Sequence, residues 1–468
     1  MIYNIHYADD YRGGLCEFYA HNLNILYNFG ITLNRKIKQM EVNPTLAKNH
    51  FVKYHTKNNF LIRSKCKTIT QLSNLDNDQL LNKYNDSFLK TFRSAYNKSP
   101  FYKKLYQENG ITIDEIKDIT DIEKLPLINR QMIKDNINDI YIGNNLFKVK
   151  GLTSGTSGSP LTVFRTPLSI ITELSYISNF RKLHGFNFGQ PMLSIRGYLN
   201  KLKSHEYFKK ANILYISGSN INENTIEEYY KLIKSFNPVA IEAFPSYLYK
   251  LFIELEKKGL KIDIPISFTS SEILYDFQRE RIEPFFNTSI FDWYGNVERS
   301  IGIAQGKDLK YSPLPLYSIN EYKKNSVITT SLINQSFPLI RYEIDDRISL
   351  ASDDFLRNIS SPEILKIEGR AGDTIELKDG SIVGCIDHAF KGVKNLEYAQ
   401  IHQYDKREPI EIKILVNNKF SVDDEKILKS NLIKMLGLDM LFTFNYCNQE
   451  DFTFNNSNKY KLIIKDNK

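Results

Sequence analysis

The chain is poor in the residues that staple or anchor a protein. Its 468 residues include four cysteines, Cys16, Cys66, Cys385 and Cys447. Their wide separation excludes a disulfide framework and a paired CxxC metal site, and it points to a reducing, cytoplasmic setting. Cys385 and His388 form a lone CxxH, too few ligands for a structural zinc site, so they read as core residues. No stretch reaches about eighteen apolar residues, so no integral membrane segment is expected. The opening MIYNIHYADDYRGG carries acidic residues and no apolar core of signal-peptide length, so neither export nor anchoring is expected. Repeats and low-complexity linkers of functional size are missing as well. Lys and Arg exceed Asp and Glu by only 62 to 54. The surplus is spread along the chain, with no basic stripe interleaved with aromatics, which excludes nucleic acid as the expected partner.

What is present is core-forming material. Hydrophobic residues make up 42% of the chain and aromatics 13%, mainly 29 Tyr and 29 Phe, whereas disordered chains are poor in these types. The length suggests two to four domains. Residues 1 to about 75 carry no motif and form an N-terminal extension of unassigned role. From Asn77 to Ser99 the spacing of Leu80, Leu81, Tyr84, Phe88, Leu89, Phe92 and Tyr96 predicts one helical face, which Pro100 ends.

Further on, two strand-like runs, FKVKGL and LTVFR, flank the Gly/Ser/Thr-rich segment TSGTSGSP at 153–160. Thr166 as N-cap and Pro167 at the first helical position start a helix that Gly185 stops. Strands near 192–196, 213–217, 239–244, 264–268 and 289–294 then alternate with helices over 227–236, 247–258 and 277–286. That alternation predicts an α/β fold with a parallel sheet. Ligands bind beyond the carboxyl ends of such strands. The rule selects three loops to line one crevice: Phe244-Pro245-Ser246, Ser270-Ser271-Glu272 and Tyr294-Gly295-Asn296-Val297-Glu298. Strand-like PLIRYEI (338–344) and ILKIEG (364–369) follow, and the last hundred or so residues mix strands with a helix near 425–436, a small second α+β domain.

The segment Thr153, Ser154, Gly155, Thr156, Ser157, Gly158, Ser159, Pro160 offers glycines that let backbone N–H groups approach a ligand and hydroxyls that bind phosphate oxygens. It is not a Walker A loop, because no Gly-Lys-Ser/Thr follows and a strand comes next. A Ser/Gly loop standing alone reads as a surface turn. Its residue order, however, resembles the TSGT[ST]GxP phosphate loop of the adenylate-forming enzymes, and further segments similar to that superfamily follow in order. Tyr294, Gly295 and Glu298 match its YGxxE element, in which the tyrosine stacks on adenine and the glutamate holds Mg²⁺, a metal that prefers hard oxygen ligands. Pro338 to Asp346 is similar to PLIRYxxGD, with Asp346 holding the ribose hydroxyls and Asp345 standing where the family has glycine. Gly369-Arg370-Ala371-Gly372-Asp373 resembles the GRxDD hinge, with Gly372 in place of the first aspartate. Asn456 to Lys461 is similar to SGKxR, which makes Lys459 the catalytic lysine and Lys461 its neighbouring alternative.

The flanks NKSPFYKKLYQENGI, DIEKLPLINRQMIK, AFPSYLYKL and HAFKGVKNLEYAQIHQ, with Leu161 after the loop proline, resemble the phenylacetate-CoA ligase and CapK branch. Some relatives carry a zinc site after YGxxE, but SIGIAQGKD follows here without Cys or His, so zinc is not expected. The resemblance implies a large ATP- and carboxylate-binding domain over 76–368 and a small mobile domain over 369–468. Thr153, Glu298 and Lys459 are then catalytic. Ser154, Gly155, Thr156, Ser157, Gly158, Ser271, Glu272, Tyr294, Gly295, Asp346 and Arg370 bind the nucleotide, and Glu298 binds the metal. ATP and Mg²⁺ are implied, with coenzyme A, a carrier protein or a sugar amine as the thiol or amine acceptor, and a role in surface-polysaccharide assembly. Two other readings stay open: a nucleotidyl transferase of the coenzyme F390 synthetase type, and a non-catalytic ATP-binding scaffold.

Overall fold

The computed structural model describes residues 60–468 except 153–160, 197–198, 200–203, 210, 324–325, 352–361, 371–374, 379–381, 384–385, 391, 406–408, 438–439, 454–460 and 466–468. It begins with five helices, α1 (Phe60–Leu72), α2 (Asn77–Lys98), α3 (Pro100–Glu108), α4 (Arg130–Asp135) and α5 (Ile137–Ile140). Asp76 caps α2 by accepting the Gln79 N–H at 2.8 Å. Pro100 does end α2, but it also opens α3: Ser99 closes one helix and caps the next, its Oγ accepting the Tyr102 N–H. Of the predicted face of α2, Leu80, Tyr84, Phe88 and Phe92 are buried, joined by Ala95, while Leu81, Leu89 and Tyr96 are half-buried at its margins. Each buried aromatic there contributes roughly 1.5–3 kcal/mol.

Strands β1 (Val149–Leu152) and β2 (Thr162–Arg165) form an antiparallel ribbon whose register pairs Leu152 with Thr162, on either side of residues 153–160. Helix α6 (Pro167–Leu183) follows, capped by Thr166 and ended ahead of Gly185 at φ 89°. Residues 60–72, which carry no readable motif, dock on it through α1. Thr70 Oγ1 donates to Asn179 Oδ1 at 2.7 Å and Cys66 Sγ to the Ser175 carbonyl at 3.1 Å.

The α/β layer comprises β3 (Met192–Arg196), β4 (His205–Phe208), β5 (Ile213–Ser217), α7 (Ile226–Phe236), β6 (Ala240–Ala243), α8 (Pro245–Lys257), β7 (Ile266–Ser270), α9 (Asp276–Phe286) and β8 (Ser289–Gly295). The chain continues through β9 (Gly302–Gln305), β10 (Tyr311–Pro313), β11 (Ser318–Tyr322), β12 (Val327–Ser331), β13 (Tyr342–Ile344), β14 (Asp346–Leu350) and β15 (Ile364–Arg370). Ten of these make one sheet in the order β14-β15-β10-β9-β8-β7-β6-β3-β5-β4. Its centre, β5-β3-β6-β7-β8, is parallel as predicted, and the flanking strands are antiparallel. Tyr176 and Phe180 of α6 cover one face with Phe268, Phe291 and Trp293. Helices α7, α8 and α9 cover the other.

Two strands differ from expectation. β7 starts at Ile266 rather than 264, because the Ile264 N–H is taken by the Phe286 carbonyl at 2.8 Å and Pro265 has no N–H to offer. PLIRYEI becomes strand only at Tyr342, because Arg341 sits at φ 50°. β11, β12 and β13 form a separate antiparallel sheet.

The C-terminal domain carries the short pair β16 (Ile375–Glu376) and β17 (Ile382–Val383), then β18 (Leu396–Gln403), β19 (Ile410–Val416), α10 (Val422–Leu436), β20 (Phe442–Tyr446) and β21 (Ile463–Lys465). The last four strands form a sheet in the order β20-β19-β18-β21. Its residues Tyr398, Ile401 and Ile412 belong to the same core as Tyr249 and Phe252 of α8, and the Tyr398 and Tyr249 rings meet with centroids 5.7 Å apart. Lys257 pairs with Glu397 at 2.8 Å beside that contact.

Candidate active site

β6, β7 and β8 are neighbours and parallel, so their carboxyl ends put the three sequence-selected loops side by side. The first two loops touch. Pro245 occupies the first turn of α8, and the Ser246 N–H, one of the donors a helix start leaves unpaired, is accepted by Glu272 Oε2 at 3.1 Å. A carboxylate at the positive end of a helix is favourably placed, so Glu272 braces α8 in this structure. Ser271 holds φ 72°, which turns the chain out of β7 into that brace.

The third loop is a tight hairpin between β8 and β9. Gly295 is closely hemmed in, since a Cβ there would meet the Ile301 carbonyl oxygen and Trp293 Nε1 at 3.2 Å and press them back by a few tenths of an ångström. Asn296 closes the turn. Its carbonyl accepts the Arg299 N–H at 3.1 Å, its Oδ1 accepts the Ser300 N–H at 2.9 Å, and its Nδ2 donates to Ser300 Oγ at 2.7 Å. Glu298 is buried at the tip, with Arg130 Nη1 of α4 at 3.8 Å from Oε1. That distance makes an ion pair rather than a hydrogen bond. Tyr342 completes the group, and burial pushes its hydroxyl well above the ordinary phenol range. The negative charge of Glu298 acts in the same direction, against Arg130. A carboxylate is the hard oxygen donor that a divalent metal such as Mg²⁺ takes, and Glu298 is the residue of this group that could hold one once Arg130 gives way.

On the other side of the hairpin, the Tyr294 hydroxyl donates to Asp346 Oδ2 at 2.5 Å. Asp346 is half-buried at the first position of β14 and stands opposite Arg370 in the β14–β15 register. Asp345 beside it is exposed. Tyr294, Asp346 and the backbone of Arg370, chosen from separate motifs, thus meet at one place. Thr153, Ser154, Gly155, Thr156, Ser157, Gly158 and Lys459 lie outside the described residues, as does Cys385; the β1–β2 ribbon frames the first six. Lys461 is described just before β21, its carbonyl accepting from Gln400 Nε2 at 2.9 Å.

Sequence reasoning passed over several charged residues that the fold brings to these strand ends. Arg130 meets Glu298. Glu242 in β6 is buried between Arg181 of α6 and Arg196 of β3, with Ser194 Oγ donating to it at 3.1 Å and Arg196 Nη2 at 3.0 Å. Arg299 is buried against Glu173. A charged residue inside the apolar run VAIEAF, and an arginine directly after the YGxxE glutamate, were the available signals.

Residues 375–466 match the family described as the CapK C-terminal domain. Over 387 residues the chain is 22% identical to protein CapK of Staphylococcus aureus, covering 80% of this chain and 85% of that one. It is 23% identical over 342 residues to phenylacetate-coenzyme A ligase of Pseudomonas putida, covering 67% and 76%. Its structure is similar to 2-hydroxyisobutyryl-CoA ligase in the postadenylation state with a bound acyl-AMP, at TM-score 0.65 and 14% identity over 81% of this chain and 88% of that one. That likeness shows a shared fold: a large mixed sheet followed by a separate C-terminal domain.

Proposed function

We propose, for a chain that is a CapK- and phenylacetate-CoA ligase-like member of the adenylate-forming family and an acyl-CoA ligase-like enzyme, that it activates a carboxylic acid with ATP as an acyl adenylate. The observation that supports this most is the meeting of Tyr294, Asp346 and Glu298 on the two sides of one hairpin at the carboxyl end of β8. Two motifs separated in sequence, Tyr294 to Glu298 and the segment that ends at Asp346, have no structural need to converge there. A nucleotide gives them one.

In this reading the Tyr294 ring faces adenine and Asp346 accepts from the ribose hydroxyls. Residues 153–158, between β1 and β2, surround the phosphates with N–H and hydroxyl donors, while Ser271, Glu272, Gly295 and Arg370 complete the nucleotide site. Glu298 holds Mg²⁺, which when bound neutralises charge on the phosphates. The acid's carboxylate oxygen bonds to the α-phosphorus as the bond to pyrophosphate breaks, and Lys459 of the small domain (369–468) stabilises the charge that builds between them. Residues 76–368 form the ATP- and acid-binding domain. The segment around Gly369 is the hinge about which the small domain turns to admit the acceptor. The acceptor is a thiol such as coenzyme A or a carrier protein, or a sugar amine, and the product serves surface-polysaccharide assembly. The work is cytoplasmic, in keeping with four scattered cysteines. Among the described residues no helix is long and apolar enough to cross a membrane.

Exchange of labelled pyrophosphate into ATP, run over a library of acids, tests the reading. One or more acids should support exchange, and Glu298→Gln should abolish it while circular dichroism stays that of the wild type. Exchange at the wild-type rate in Glu298→Gln would remove the metal role from this residue.

A further inference from the structure

Glu173 and Arg299 form a buried ion pair that the proposed chemistry leaves unused. Arg299 is 1% exposed, its Nε meets Glu173 Oε2, and the Tyr317 hydroxyl donates to Glu173 Oε1 at 3.4 Å. Buried ion pairs contribute little net stability compared with apolar residues of the same size. The use of this one is better sought in geometry.

Arg299 directly follows Glu298 and stands at φ 56°, a left-handed conformation that side chains other than glycine disfavour. Its N–H is held by the Asn296 carbonyl and its own carbonyl accepts from Ser331 Oγ at 2.8 Å. With backbone and guanidinium both fixed, the peptide joining Glu298 to Arg299 has one orientation, and so has the Cα–Cβ bond of Glu298. The anchor for that arrangement lies on α6, which continues directly from β2, one side of the ribbon that frames residues 153–160.

We infer that Glu173 is a positioning residue for Glu298: through Arg299 it holds the left-handed turn that aims the carboxylate, and it ties that turn to the frame of the candidate phosphate loop. This rests on Glu298 being the metal ligand proposed above.

The test compares full-length wild type, Glu173→Gln, and the double variant Glu173→Gln/Arg299→Met, which leaves no buried charge alone if the single variant fails to fold. The first measurement is amide hydrogen exchange of the ligand-free proteins. The Arg299 and Ser300 amides should exchange at least about tenfold faster in the variants, with the β7 amides unchanged, as expected for local opening. The second is the Mg²⁺ concentration giving half-maximal pyrophosphate exchange, which should rise about tenfold, or 1.4 kcal/mol, while the KM of the acid stays put. Slow exchange at 299 and 300 in a folded variant overturns the inference. So does a uniform acceleration of all amides with unchanged Mg²⁺ dependence, which marks a merely structural pair. A wild type that exchanges no pyrophosphate with any acid defeats the adenylation reading instead, and the amide comparison still decides whether Glu173 holds the turn.

Discussion

Among the described residues, two arginines stand in left-handed backbone conformation at sequence motifs, Arg299 at φ 56° directly after Glu298 and Arg341 at φ 50° within PLIRYEI. Both are buried and both meet a glutamate. Their surroundings differ. Arg341 donates through Nε and Nη2 to both oxygens of Glu321, at 3.0 and 2.6 Å, and through Nη1 to the carbonyls of Glu123 and Leu125 at 2.8 and 2.5 Å. Its partners lie on the N-terminal region and on β11, so it sews the chain before α4 to the small antiparallel sheet. Arg299 instead links a helix to the turn that carries Glu298. One arginine closes a core and the other aims a side chain, although both are buried arginines with positive φ paired to a glutamate. A motif residue therefore has to be judged by what its side chain reaches.

The largest effect separating the two is expected at Arg341. Arg341→Met strips Glu321 of its bidentate partner in a buried setting and leaves two carbonyls without a donor. Removing one member of such a pair costs about 3–5 kcal/mol. Urea unfolding should show that loss, with the remaining folded protein binding ATP as the wild type does. A loss below about 1 kcal/mol, the range of an exposed pair, would erase the distinction drawn here.

The parallel sheet and its crevice were legible because periodicity and caps agree: 192–196 and 213–217 are strands in sequence and in structure, and Thr166-Pro167 starts α6. The meeting of Tyr294 with Asp346 was legible only as two motifs. Their contact needs the ten-stranded order that places β14 at one end, and no local pattern encodes strand order. The brace from Glu272 to α8 was hidden for the same reason, since its partner lies across two neighbouring strand ends. The Arg341 clamp was read as strand because PLIRYEI has a strand-like composition. A single left-handed residue, held by contacts distant in sequence, overrides that propensity.

The next test moves from the clamp to the site residue that follows it in the same segment. Asp346→Ala removes the carboxylate that the Tyr294 hydroxyl reaches at 2.5 Å and that the proposal assigns to the ribose. Charge-assisted hydrogen bonds are worth about 1.5–3 kcal/mol, so calorimetry should show ATP binding weakened by that amount. Unfolding stability should change little, because Asp346 is half-buried and at the start of a strand. The opposite result, lost stability with intact ATP affinity, would move Asp346 to the same side of the comparison as Arg341.

The smallest effect, and the one that sharpens the comparison most, is expected from Tyr294→Phe. The ring stays, so stacking against a base is kept, while the hydroxyl that donates to Asp346 Oδ2 is lost. Asp346 keeps its charge and its place on β14 and loses only the partner that orients it. A net hydrogen bond contributes about 0.5–1.5 kcal/mol, so ATP affinity should fall several-fold, well short of the Asp346→Ala loss. In the double variant Tyr294→Phe/Asp346→Ala the two losses should not add, because the hydroxyl acts through the carboxylate and contacts of this kind couple. Calorimetry on the four proteins closes the cycle. Additive losses would mean that Tyr294 and Asp346 reach the nucleotide separately, and that their contact is not part of how the site is held.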